Sequence, residues 1–300
     1  MMLDNKSVSS KIRNVIIYAI VILCGVMCLI PLWSIVAISL SGNAPVAANK
    51  VLLVPLEFTT LAYEEILTDA QFWISFRRSV FRVFATLILN LVLIIPMAYG
   101  ATKTKKQFKC RDLYMNLLIF AMLFNGGMVP NFIWIKELGL LNNVWALILP
   151  AAVPIFSVIL MMNFFKGIPY SLEEAAMIDG ATPYQILLKV MVPCSLPSLA
   201  TVSLFSIVNS WNEFFNGKLY MQKVQYYPIM TYIQSLTIDI GQIMENGGAM
   251  DDSLLEMLSK LGNKNLNCAK IVIAIIPLLM IYPLCQRYLI SGMVMGSVKE

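Results

Sequence analysis

Residues 15–40 read "VIIYAIVILCGVMCLIPLWSIVAISL", 26 positions without one charged side chain. A membrane-spanning helix needs about 20 mostly apolar residues, and in hydrocarbon its backbone has only itself to hydrogen-bond with. Five further runs meet that length: about 79–101, 112–134, 145–165, 191–215 and 268–290. They predict an all-α integral membrane protein with six transmembrane helices between residues 15 and 290. The chain is 59% hydrophobic and 13% charged, whereas soluble domains are about 25% charged. Too little polar surface remains to cover a globule. The first run is longer than the roughly 7–15 apolar residues of a signal peptide, and no small-residue cleavage site follows, so it reads as a retained helix.

Lys and Arg set the orientation, because they accumulate in cytoplasmic loops. With the N-terminus inside, segments 1–14, 102–111, 166–190 and 286–300 carry 12 of them in 64 positions. The outer segments 41–78, 135–144 and 216–267 carry 8 in 100. The loop "TKTKKQFKCR" at 102–111 weighs most. Both termini, 1–14 and 291–300, are then expected in the cytoplasm. Two cations fall within spans. Lys270 lies near the outer end of the sixth and can snorkel to the interface. Arg82 lies one turn into the second, either as an interfacial anchor or as the lining of a polar pathway. A short helix is expected around "LAYEEILTDAQF" in the first outer segment.

Several functions lack their residues. The chain has no histidine, and its six cysteines form no C-x-x-C pair, so a zinc site or disulfide framework has no basis. No long basic tract suggests nucleic acid. Glu213 is the one acid inside a span, with Asp112 at an edge. A membrane enzyme would need paired carboxylates or a nucleophile beside a base. A secondary transporter would show broken helices with midplane carboxylates; "LFNGGMVP" could break span three, but no acid accompanies it.

One polar stretch, "SLEEAAMIDGAT" at 171–182, interrupts the apolar runs. Ser171 with Glu174 three residues later predicts a capping box and a helix from Leu172. Glu173 and Glu174 fall in its first turn, where the dipole favours anions. Gly180 can end it in a left-handed conformation, turning the chain at Asp179–Gly180–Ala181. Thr182 then caps a second helix with Pro183 at its first position. Segment 166–190 has a net charge of −1, which argues against lying on an anionic leaflet. An unpartnered loop or a docking helix remains. Ala175, Ala176 and Gly180 would let a partner approach closely, and the carboxylates would select a basic one.

The run "EEAAMIDGATPYQILLKVMVPCSLPSLA" resembles the EAA loop of ABC-importer permeases. Glu174, Ala175, Ala176, Asp179, Gly180 and Ala181 carry the likeness, followed by Ile186, Pro193 and Pro197. "KELGLLNNVWALILP", "NSWNEFFNGKLY" and "QRYLISGMVMGSVKE" are similar to the carbohydrate branch, near the G-type permeases of maltose systems. The resemblance implies a multi-pass inner-membrane subunit with a cytoplasmic coupling helix between spans four and five. Glu173 joins that coupling segment, with Glu174 as rim anchor and the alanines as close-packing face. It also implies a cytoplasmic ABC ATPase dimer, a distinct second permease subunit, an external solute-binding protein and an oligosaccharide or related carbohydrate. ATP and Mg belong to the ATPase; this chain has no G-x-x-x-x-G-K-[ST] loop and is expected to bind no cofactor. Loop 216–267 would meet the binding protein, and the tail 296–300 the ATPase. Candidates for a substrate path are Trp211, Asn212 and Glu213, then Asn90, Tyr99 and Asn125; each asparagine reads equally as a helix–helix hydrogen bond.

Overall fold

The computed structural model describes residues 8–236 and 264–297, and every regular element among them is helical. The N-terminal segment before Val8, residues 237–263 of the long loop and the last residues of the tail lie outside the described residues. The chain divides into two units, Met1–Ala70 with Ser235–Ile275 and Gln71–Gln234 with Ile276–Glu300.

The first unit opens with α1 (Val8–Ser39), whose residues 12–33 are all exposed. After it come α2 (Asn43–Ala47) and α3 (Leu61–Thr68). Ser41 holds the connection. Its hydroxyl donates to the Ala37 carbonyl at 2.6 Å and accepts the Leu56 N–H at 3.1 Å. Ala37, Val46 and Val51 form the small core beside it. Lys270, expected to snorkel, instead pairs with Asp69 at 2.6 Å. A buried ammonium must find a carboxylate where water is absent.

The second unit holds α4 (Ala70–Thr102), then α5 (Arg111–Leu123), α6 (Met128–Glu137), α7 (Trp145–Ile148) and α8 (Ile155–Lys166). Next come α9 (Tyr170–Ile178), α10 (Pro183–Ile186), a π-helical turn at Leu187–Met191 and α11 (Val192–Cys194). The remaining helices are α12 (Leu196–Asn212), α13 (Phe215–Tyr220), α14 (Ile229–Ser235) and α15 (Lys264–Ser297), the last of which contributes residues to both units. Ile94, Phe165, Met161, Ile186 and Val202 centre a core that joins α4, α8, α10 and α12.

Among the described residues, three continuous helices are long and apolar enough to cross a membrane, and three bent pairs bring the number to six when each pair counts as one span. Span two starts nine residues earlier than expected, because Phe72, Ser75 and Ser79 continue the buried face at helical spacing. Span three is broken by 108° between α5 and α6, where Gly127 takes φ +90°. Span four bends by 43°; Pro150 and Pro154 each lack the N–H that would continue the ladder. Span five, expected from 191, is bent by 84° between Cys194 and Leu196. Pro197 has no N–H for the Pro193 carbonyl, so the ladder breaks there and restarts with the Leu199 N–H donating to the Ser195 carbonyl at 3.0 Å.

Asn90 secures the bend in span four. Its Nδ2 donates to the carbonyls of Ala151 and Ala152 at 2.8 and 2.9 Å, and its Oδ1 accepts the Ser206 hydroxyl at 2.7 Å. One buried amide thus links α4, the bend and α12. Asn90→Leu leaves two carbonyls and a hydroxyl without that partner. It should destabilise the protein by about 1–2 kcal/mol, seen as a lower melting temperature in detergent; an unchanged melt would show that these groups find partners elsewhere.

Candidate functional site

The predicted site residues separate into two places along α4. Tyr99 and Arg82 are 17 positions apart, about 25 Å at 1.5 Å per residue.

At the Tyr99 end stands α9. It starts at Tyr170 with Pro169 as N-cap, and no side chain caps it, so the Ser171–Glu174 box does not form. Pro169 already holds the extended entry, and its carbonyl accepts the Leu172 N–H at 3.2 Å. The capping box occurs one helix later, between Thr182 and Gln185, with Pro183 at the first position. Between them Gly180 adopts φ +79°. The Gly180 N–H donates to the Met177 carbonyl at 3.0 Å, and the Ala181 N–H to the Ala176 carbonyl at 2.9 Å. This is a Schellman turn, which satisfies the last carbonyls of α9 and reverses the chain.

The two glutamates of α9 point to different surroundings. Glu173 is buried, at 7% exposure. It accepts the Tyr99 hydroxyl at 3.1 Å and forms an ion pair with Lys103. The Lys103 ammonium also sits 3.8 Å from the centroid of the Tyr99 ring, and that ring meets Phe165 edge-on at 6.4 Å. A carboxylate, an ammonium and two rings therefore fix α9 to α4 and α8. Ala176 and Ala181 also pack inward against the core. Glu174, Ala175 and Asp179 are exposed, together with Tyr170, Leu172, Met177 and Ile178. Pro193 is exposed and Pro197 half-buried at the bend of span five.

At the Arg82 end is a cavity of about 620 Å³. Arg82 and Glu213 meet in its wall, with Nη2 donating to Oε2 at 2.9 Å. Arg82 Nη1 also donates to the Glu213 main-chain carbonyl at 3.2 Å, so the cation closes the C-terminal end of α12. The other Glu213 oxygen accepts the Asn216 N–H at 2.6 Å and starts α13. Arg82 is thus part of a polar lining, not an interfacial anchor. Its Nε has no partner among the described residues. Tyr220, across the cavity, is pushed above the usual phenol range by burial and then by the Glu213 carboxylate, so it stays protonated at neutral pH.

The other candidates do not reach this wall. Trp211 is buried, edge-on to Phe76 at 5.7 Å, and Asn212 is exposed. Asn90 spends its amide on the bend of span four. Asn125 Oδ1 accepts the Gly127 N–H at 3.0 Å, turning the break in span three. Sequence reasoning missed Lys103 as the partner of Glu173, and it missed Asn131, Trp134 and Asn209 in the cavity. The Arg82–Glu213 pair did leave a signal: two opposite charges within spans are natural partners.

Residues 70–294 match the family of binding-protein-dependent transport system inner membrane components. The chain belongs to this family. It is a multi-pass inner-membrane permease component, as the EAA-loop resemblance implied. A polygalacturonan/rhamnogalacturonan transport system permease of Bacillus subtilis (strain 168) is 34% identical over 97% of this chain and 99% of its own length. An arabinooligosaccharides transport system permease of Halalkalibacterium halodurans is 28% identical, covering 90% of each chain. Among solved structures, a bacterial ABC transporter involved in importing the acidic polysaccharide alginate is 30% identical. It superposes with a TM-score of 0.81 over 94% of this permease and 98% of that chain.

The pair joining α9 to α4 has a thermodynamic signature. Lys103→Met leaves Glu173 buried without its cation, whereas Lys103→Met with Glu173→Gln removes both charges. The single variant should be less stable than the double by roughly 1–3 kcal/mol, read as a difference in thermal unfolding. Additive losses from the two substitutions would mean that the charges do not interact.

Proposed function

We propose that this chain is a permease subunit of an ATP-driven ABC importer for an oligosaccharide. With a second permease subunit it encloses the translocation path, and a solute-binding protein delivers the sugar from outside. α9 is the coupling helix, seated on a cytoplasmic ATPase that binds ATP and Mg. The basic loop 102–111 supports this orientation, and the relatives named for sugar polymers and oligosaccharides support the solute class.

One observation carries the coupling role. α9 presents Leu172, Met177, Ile178 and Glu174 outward while Glu173 locks its other side to α4. Ile178 is 87% exposed at the tip of an ordered helix. A short helix with an acidic, apolar outer face and a rigid base suits a protein groove: the apolar side chains anchor, and the acid sets register. When the ATPase closes, a force on α9 passes through Glu173, Lys103 and Tyr99 into span two, a two-state element biased from both ends.

The complete importer in proteoliposomes, with its binding protein, should take up oligosaccharide only with ATP inside. Uptake that persists without ATP would overturn the reading. Glu174→Ala and Ile178→Asp should each weaken ATPase retention by about tenfold or more, as loss of an anchor worth about 1.4 kcal/mol does. Gly180→Val meets open space, so its cost is the left-handed backbone, about 1–2 kcal/mol. It should lower binding-protein-stimulated ATPase activity while the membrane subunits still assemble. Unchanged ATPase co-purification and transport in all three variants would count against docking at α9.

A further inference from the structure

We propose that the cavity beside Arg82 and Glu213 is a binding site in this chain for a neutral, hydroxyl-rich sugar unit. The proposal rests on the importer reading and adds a place and a chemical preference to it.

A volume of about 620 Å³ falls within the roughly 300–1,000 Å³ of small-molecule pockets. The unspent polar groups in its wall are more telling. Asn131, Asn209, Ser210 and Asn216 line it; Asn131 and Asn209 are exposed, and none of the four side chains is hydrogen-bonded to another described residue. In a membrane protein such groups normally pair across helices, as Asn90 does here. These four come from α6, α12 and α13 and face one space instead. Each amide or hydroxyl both donates and accepts, as a sugar hydroxyl does.

The electrostatics select within the carbohydrates. Arg82 and Glu213 neutralise each other at 2.9 Å, and the Asn216 N–H occupies the second carboxylate oxygen. A neutral sugar unit can sit against the intact pair. A carboxylated unit would find the Arg82 charge already offset and a second anion, Glu213, beside it, so it gains little attraction and meets like-charge repulsion. Trp134 supplies the apolar platform. It is 67% exposed and lines the cavity, with no ring partner among the described residues. Tyr220 already stacks on Phe132, with centroids 6.4 Å apart.

The test uses the complete importer in nanodiscs without its binding protein. It is titrated with galactobiose and with digalacturonate, which share a skeleton and differ in their carboxylates. Tryptophan fluorescence is read against Trp134→Phe. Galactobiose should give a saturable change that Trp134→Phe abolishes and Asn209→Leu weakens by about tenfold or more. Digalacturonate should bind at least about tenfold more weakly. Asn131→Leu, on a different helix, replaces Asn209→Leu should that variant not assemble, with the same weakening expected. Equal or tighter digalacturonate binding, no saturable change with either sugar, or unaltered affinity in the asparagine variant would overturn the proposal. ATP-dependent oligosaccharide uptake, supplied by the binding protein, is measured on the same preparation. Uptake retained while the titration is silent removes the site alone; no oligosaccharide uptake removes the importer reading.

Discussion

A broken helix inside a bilayer exposes carbonyls that no water can satisfy. The second unit of this permease depends on how that debt is settled. Asn90 meets the Ala151 and Ala152 carbonyls at the bend of span four, while at the other two breaks the side-chain bonds are local: Ser198 donates to the Ser195 carbonyl, which also accepts the Leu199 N–H, and Asn125 accepts the Gly127 N–H. Arg82 meets the Glu213 carbonyl at the end of span five. α6 and the bend of span four line the cavity, and Asn90 and Arg82 also tie neighbouring helices together.

α4 is the common support. It is an unbroken helix of 33 residues that carries Arg82, Asn90 and Tyr99 on its buried face, with half-buried Lys103 just past its end. In the proposed importer, the coupling helix grips one end of α4 and the sugar site uses a residue about 25 Å away. A continuous helix moves as a unit more readily than a bent pair. A shift at Tyr99 therefore has a direct physical route to Arg82, whose pairing with Glu213 closes the cavity wall.

The division of labour between Glu173 and Glu174 shows why neighbours in sequence need not share a role. Successive helical residues point about 100° apart. One carboxylate turns to Lys103 and Tyr99 and becomes part of the scaffold, while the next stays exposed. Ala175 and Ala176 divide in the same way, one outward and one against the core. The shift of the capping box from Ser171 to Thr182 has a similar cause: Pro169 already fixes the first helix, so the side-chain cap falls where the chain restarts after Gly180.

Length and hydropathy alone determined the six membrane-crossing segments, since a bilayer sets a simple requirement for about 20 apolar residues. Local chemistry determined the turn at Gly180 and the cap at Thr182, because both involve residues within a few positions of each other. The bends in spans four and five were written in Pro150, Pro154 and Pro197, but their angles were not; an angle depends on what packs against the break. Which polar residues meet was decided only by the tertiary structure. Lys103 is 70 positions from Glu173, Arg82 is 131 from Glu213, and Asn90 is 116 from Ser206. No local pattern encodes such pairs. They form because folding in an apolar medium leaves each buried charge or amide only the partners that neighbouring helices bring to it.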